Sequence, residues 1–179
     1  MDRCPSDALL EKAKGFFRYR LGEKTIHAAL VAGDATDTRL PMIMLQWSQN
    51  VRVFDGDYSR TNWLDNNIPF PEEQDPEGLS VYVRPVYASM RELERNWHDV
   101  GILAALPEWS NKPASLRIAV NTFLASLKDG APYAIMASAP PTTAADCMNM
   151  TWEDRYNIFP DARPDAFLIT GVKNQGRKL

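Results

Sequence analysis

The chain has 179 residues, of which 45% are hydrophobic, 10% aromatic and 24% charged, a composition that folds around one core without covalent staples. Twenty-three acids against twenty bases leave a net charge of −3 and a pI near 5.4, which argues against a general polyanion binder, since phosphate-backbone affinity draws on clustered Lys and Arg. Two cysteines, Cys4 and Cys147, make no disulfide framework, and the N-terminal residues lack the apolar stretch of a signal peptide, so free thiols and a cytoplasmic location are expected.

Ser6 precedes Leu9, Leu10, Ala13, Phe16, Phe17 and Leu21 at helical spacing, which predicts a capped amphipathic helix over about 7–20, ended by Gly22. Its polar face carries Lys12, Lys14, Arg18 and Arg20. These read first as a solvated face and second as the place where nucleic acid would bind directly. TIHAALVA (25–32) suits strand and helix equally. PMIMLQW (41–47) and VRVF (51–54) read as strands, and with the first segment they suggest an antiparallel meander of two or three. LSVYVRP (79–85) adds another strand.

Val86, Met90, Leu93, Trp97, Val100 and Ala104 recur every three or four residues, the spacing of a core-packing helix stopped by Pro107. A second helix over about 114–128 follows Pro113 and presents Leu116, Val120, Phe123, Leu124 and Leu127 on one side, with Gly130 beyond its end. YAIMAS (133–138) and AFLITGV (166–172) read as strands, and residues 139–165, rich in proline, leave room for a short helix at 144–150. No membrane span is present, because no window approaches the roughly 18 apolar residues required. The expected fold is α+β: one domain over 1–179, with a mostly antiparallel sheet of about five or six strands against two or three helices.

Charge is sorted along the chain. Asp55, Asp57, Asp65, Glu72, Glu73, Asp75 and Glu77 face a single base, Arg60, in a stretch that also holds Trp63, Phe70 and three prolines. Read as a loop over about 55–78, it exceeds the roughly 12–15 residues of an ordinary connection. Its aromatics either fold back on the core or anchor an acidic contact surface. Residues 173–179 form a basic C-terminal tail.

Motifs for chemistry fail on particular points. The run from Gly171 to Lys178 lacks the Lys-Ser/Thr pair and the helix of a phosphate loop. Asp55-Gly56-Asp57 opens like a calcium loop but has Arg60 at the sixth position and Asn66 at the twelfth. Cys147 has no activating neighbour in sequence and reads as a small hydrophobe. Glu94 and His98 would share a helix face as an acid–base pair, and with His27 the only other imidazole they are too few to hold zinc.

The leading expectation is therefore a non-enzymatic inhibitor or adaptor without cofactor or metal, of the kind that acts as an anti-CRISPR or toxin immunity protein. Its acidic surface (Asp55, Asp57, Trp63, Asp65, Glu72, Glu73, Asp75, Glu77) would act as a nucleic-acid mimic and occupy a basic site on a partner protein or nucleoprotein complex. The alternative is a hydrolase built around Glu94 and His98.

Overall fold

The computed structural model describes residues 5–67, 82–87, 93–139, 143, 156–161 and 166–173. The first helix, α1 (Asp7–Leu21), forms as its sequence predicts: the Ser6 hydroxyl accepts a hydrogen bond from the Leu9 amide at 3.3 Å, and Gly22, at φ 56°, ends it by donating to the Arg18 carbonyl. Leu9, Leu10, Ala13 and Phe17 are buried beneath it.

Among the described residues seven strands form one sheet: β1 (Ala29–Ala32), β2 (Asn50–Asp55), β3 (Tyr82–Tyr87), β4 (Val100–Ala104), β5 (Pro132–Ala137), β6 (Tyr156–Pro160) and β7 (Phe167–Val172). Their order is β3-β2-β1-β4-β5-β7-β6. The first five pair in parallel, and β7 runs against both β5 and β6. The central strands are covered on both faces. Ala29 and Val31 point into a layer with α1 and with α2 (Arg39–Met44), whereas Leu30 and Ala32 point into a layer with α5 (Pro113–Ser126). Two shorter helices, α3 (Tyr58–Asn66) and α4 (Pro107–Ser110), follow β2 and β4. Among the described residues no helix is long and apolar enough to cross a membrane.

This architecture corrects the expected antiparallel α+β fold. Helices lie on both faces of a mostly parallel sheet, the doubly wound α/β arrangement. Two element assignments reverse with it. The segment around 41–47 is the helix α2, with Pro41 tolerated near its start. Of the expected helix through Val86–Ala104, Val86 belongs to β3 and Val100–Ala104 form β4, while residues 88–92 lie outside the described residues. Strand β4 reads Val-Gly-Ile-Leu-Ala with every position buried. A parallel strand buried on both faces is a continuous apolar run, and such a run carries no period that separates it from a helix.

Strand β6 had no counterpart in the sequence reading. The expected strands at 51–54, 133–138 and 166–172 and the helix at 114–128 form, with shifted ends, and residues 82–85 of the strand expected at 79–85 lie in β3, residues 79–81 being outside the described residues. The expected helix at 144–150 lies outside the described residues.

Candidate active site

Strand order reverses between β1 and β4, and in open α/β sheets the crevice beyond the carboxyl ends of strands at such a point takes the ligand. Here the crevice has a volume of about 430 Å³. Its floor is Ala104, Ala105, Leu106 and Pro107 after β4, and its walls include Asp34 and Asp37 after β1 and Leu40 of α2. Ser110, Asn111 and Ser138 add hydroxyl and amide groups.

The chain leaves β1 through Gly33, whose amide continues the sheet by donating to the Phe54 carbonyl at 3.0 Å. A methyl at Gly33 would lie 3.0 Å from the Ala104 carbonyl oxygen, so glycine lets the β1 loop lie directly on the end of β4. Asp34 then folds the loop: one carboxylate oxygen accepts from the Thr36 amide at 2.8 Å and its hydroxyl at 2.7 Å. Asp37 is held by Arg39, which also bonds Asp7 and the Pro5 carbonyl and so ties the start of α1 to the crevice rim. The hydrogen bond it donates to Asp37 holds the Arg39 guanidinium more firmly protonated than usual, against the opposing effect of burial.

Asp55, the last residue of β2, is 0% exposed and accepts four hydrogen bonds. The Ala35 amide and Arg60 Nε reach one oxygen at 2.9 and 2.7 Å, and the Asp57 amide and Arg60 Nη2 reach the other, each at 2.9 Å. Arg60 sits in the first turn of α3, whose N-cap Asp57 accepts its backbone amide at 2.9 Å. The same Nη2 extends to Glu108 of α4 at 2.9 Å, and Nε lies 4.0 Å from Asp34. One guanidinium thus spans from β2 across β1 to the segment after β4. The Asp55 hydrogen bond is the main cause of its raised basicity, with burial opposing.

The described part of the acidic stretch, residues 55–67, is the end of β2, a short turn and α3. Asp55 is buried at the end of β2, Asp57 caps α3, and Asp65 and Trp63 are exposed on α3, Trp63 at 41%. Glu72, Glu73, Asp75 and Glu77 lie outside the described residues. Glu94 and His98 are not joined. Glu94 pairs with Arg52 at 3.2 Å, while the buried His98 has Nδ1 3.3 Å from the Ser126 carbonyl and Nε2 with no hydrogen-bond partner among the described residues. Both precede β4, at the end of the sheet opposite the crevice. Lys12, Lys14, Arg18 and Arg20 lie along α1, with Lys12 over the Phe159 ring and Arg20 over Phe16 and Tyr19. Among the described residues no three His, Cys, Asp or Glu side chains converge to hold a metal ion.

The sequence reading missed Gly33, Asp34 and the role of Arg60. A signal for them exists: an apolar run ending in Gly-Asp at 33–34 and, about twenty residues on, a second apolar run ending in Asp55, the spacing of a nucleotide-binding β-α-β unit. The glycine-rich fingerprint that usually flags it is absent, since Gly33 stands alone between Ala32 and Asp34.

No family model matches the sequence, and no curated protein matches it. Solved structures do match in fold. The N-methyltransferase NodS from Bradyrhizobium japonicum WM9, in complex with S-adenosyl-L-homocysteine, is similar with a TM-score of 0.64 at 9% identity, over 92% of this chain and 87% of that one. An rRNA methylase from Streptococcus thermophilus gives 0.64 at 15% identity, over 98% and 99% of the two chains. The 1,6-didemethyltoxoflavin-N1-methyltransferase of Burkholderia thailandensis, with S-adenosylhomocysteine bound, gives 0.64 at 14%, over 94% and 80%. This chain therefore has the α/β fold of S-adenosylmethionine-dependent methyltransferases. The likeness overturns the expectation of a non-enzymatic inhibitor, anti-CRISPR or immunity protein, and with it the hydrolase alternative.

Proposed function

We propose that this chain is a methyltransferase that takes S-adenosylmethionine as its methyl donor, with the cofactor in the crevice beyond the ends of β1, β4 and β5. The carrying observation is the open crevice at the point where strand order reverses, in a fold whose solved neighbours include enzymes bound to S-adenosylhomocysteine. This departs from the expectation of a chain without a cofactor. A cytoplasmic location, with Cys4 and Cys147 as thiols, accompanies the reading.

The residues fit such a group in three respects. Gly33 keeps the β1 loop free of a side chain where it meets β4. The crevice wall carries two acids, Asp34 and Asp37, with Arg39 against Asp37 and Arg60 Nε 4.0 Å from Asp34, carboxylates that favour a cationic sulfonium over its neutral product. Leu40, Ala104, Leu106 and Pro107 offer apolar surface beside the polar Ser110, Asn111 and Ser138, the mixed lining typical of small-molecule sites. One respect is conditional. An acid at the end of the second strand usually receives ribose hydroxyls, and both oxygens of Asp55 are already filled.

When bound, the cofactor supplies an electrophilic methyl group on sulfur. The chain's part is positioning: rigid strand ends and the short β1 loop hold the two reactants in line, the contribution that orientation makes to a displacement reaction. Asp34, whose side chain is 45% exposed, is the carboxylate on the crevice wall placed to accept a proton from an incoming nucleophile. Calorimetric titration with S-adenosylhomocysteine tests the reading. Saturable binding that Ala105→Trp removes supports it, and no binding by either the wild type or Arg60→Gln overturns it.

A further inference from the structure

We infer that Arg60 is a displaceable clasp over the nucleoside end of the crevice: its guanidinium stands in for the hydroxyl groups of a ribosyl ligand on Asp55, and binding requires it to let go. The inference rests on the proposed cofactor site and adds what controls it.

Three observations carry it. First, Asp55 is saturated. Its two oxygens accept two backbone amides and two guanidinium N–H groups, so a ligand hydroxyl gains an acceptor there only by replacing Arg60. Second, the guanidinium bridges the strand ends beside the crevice. It runs from Asp55 of β2 to Glu108 after β4, and its Nε lies 4.0 Å from Asp34 of the crevice wall. Third, both halves of the pair keep partners once separated. Asp55 retains the Ala35 and Asp57 amides, which satisfy a buried carboxylate. Arg60 retains Glu108, which is about half exposed, and has Asp34 beside it. Opening the pair therefore leaves Arg60 paired and Asp55 hydrogen-bonded by two amides without a counter-charge, a cost that the ligand's hydroxyl groups have to offset.

The side chain alone has to move. The backbone of Arg60 is fixed by the N-cap bond to Asp57 and by the helix that follows, so the long side chain rotates while α3 stays in place. A ligand with free ribose hydroxyls recovers the two acceptor positions that Arg60 gives up. A ligand lacking them recovers nothing, which makes the clasp a filter for ribonucleosides as well as a barrier to binding.

The test is calorimetric titration of the wild type, Arg60→Gln and Arg60→Lys with S-adenosylhomocysteine, with circular dichroism to verify that each is folded. Gln frees both Asp55 acceptors and is expected to tighten binding by about tenfold or more, the scale of one charge-assisted bond no longer in competition. Lys, with a single point of contact, falls between Gln and the wild type and serves as the readout where Gln does not fold. Wild-type binding as tight as both variants, or tighter, overturns the clasp while leaving the cofactor reading intact. Absence of binding in all three overturns both.

Discussion

Gly33 and Ala104, the residues that follow β1 and end β4, touch so closely that any side chain at Gly33 would press on the backbone of Ala104 as well as on its methyl group at 3.3 Å. These two positions flank the strand-order reversal, so their contact sets the width of the crevice floor. Gly33→Ala is expected to cost about 1 kcal/mol of stability, since the loop shifts by a few tenths of an ångström, and Gly33→Val about 2–3 kcal/mol, within the range for overpacking. Urea titration reads the loss. In both variants S-adenosylhomocysteine binding weakens more than stability falls, because the displaced segment is the crevice wall.

A second glycine tests the opposite layer. A methyl on Gly101 would lie 2.7 Å from Phe123 Cζ and 2.8 Å from Leu127 Cδ2, both buried. Gly101→Ala is expected to destabilise by about 1–3 kcal/mol through forced side-chain rearrangement. Adding Phe123→Leu removes the obstructing ring atoms, so the double variant should be more stable than the two single losses summed. Additive losses in denaturant titrations would show that the clash is relieved elsewhere.

Asp55→Asn probes the ion pair from its buried side. The amide cannot accept at both positions, so one of the buried Ala35 and Asp57 amides is left without its acceptor, while Arg60 keeps Glu108. A loss of about 1–3 kcal/mol in thermal or urea unfolding is expected, the cost of one buried group left unsatisfied. A loss below about 0.5 kcal/mol, typical of a surface pair, would contradict the packing of Asp55.

Burial of His98 depresses its pKa from 6.5 to about 4, with Arg52 adding to the effect and the Ser126 carbonyl, Glu94 and Asp99 opposing it. The unfolded chain takes up the proton near pH 6.5 and the folded chain only near pH 4. Its contribution to stability is therefore complete above pH 6.5 and is lost as the pH falls towards 4, by about 3 kcal/mol in all. Urea midpoints measured at pH 7.5 and pH 4.5 should fall accordingly, and in His98→Leu the same change in pH should cost clearly less.

What could be read beforehand divides along physical lines. Helix α1 was legible because its cap, its apolar spacing and Gly22 are local signals that tertiary contacts left in force. Strand β4 was not, because Val-Gly-Ile-Leu-Ala is buried on both sides and carries no alternation. Parallel pairing was equally hidden, since β1 and β4 join residues 29 and 100 and nothing local records the partner. At the site, Asp55 and Asp57 stood out as acids, yet their surroundings made them look like loop charges; their place at a strand end and a helix cap depends on where the sheet stops. Glu94 and His98 were grouped by a helical period that the chain does not adopt. Arg60, the lone base among seven acids, was the most telling residue of the stretch, and its meaning lay in three segments far apart in sequence.

Strand β1 lies inside the sheet and has its two neighbours at very different distances along the chain: β2 begins 18 residues after it ends, β4 only 68 residues after. During synthesis the pairing with β2 becomes available first, and one edge of β1 stays open until β4 has emerged. The cofactor crevice cannot exist before that moment, because its floor is the segment just past β4. A nascent chain cut short before Val100 would present Ala29–Ala32 as an unpaired apolar edge, which makes the interval before β4 arrives the time at which this protein is most exposed to aggregation.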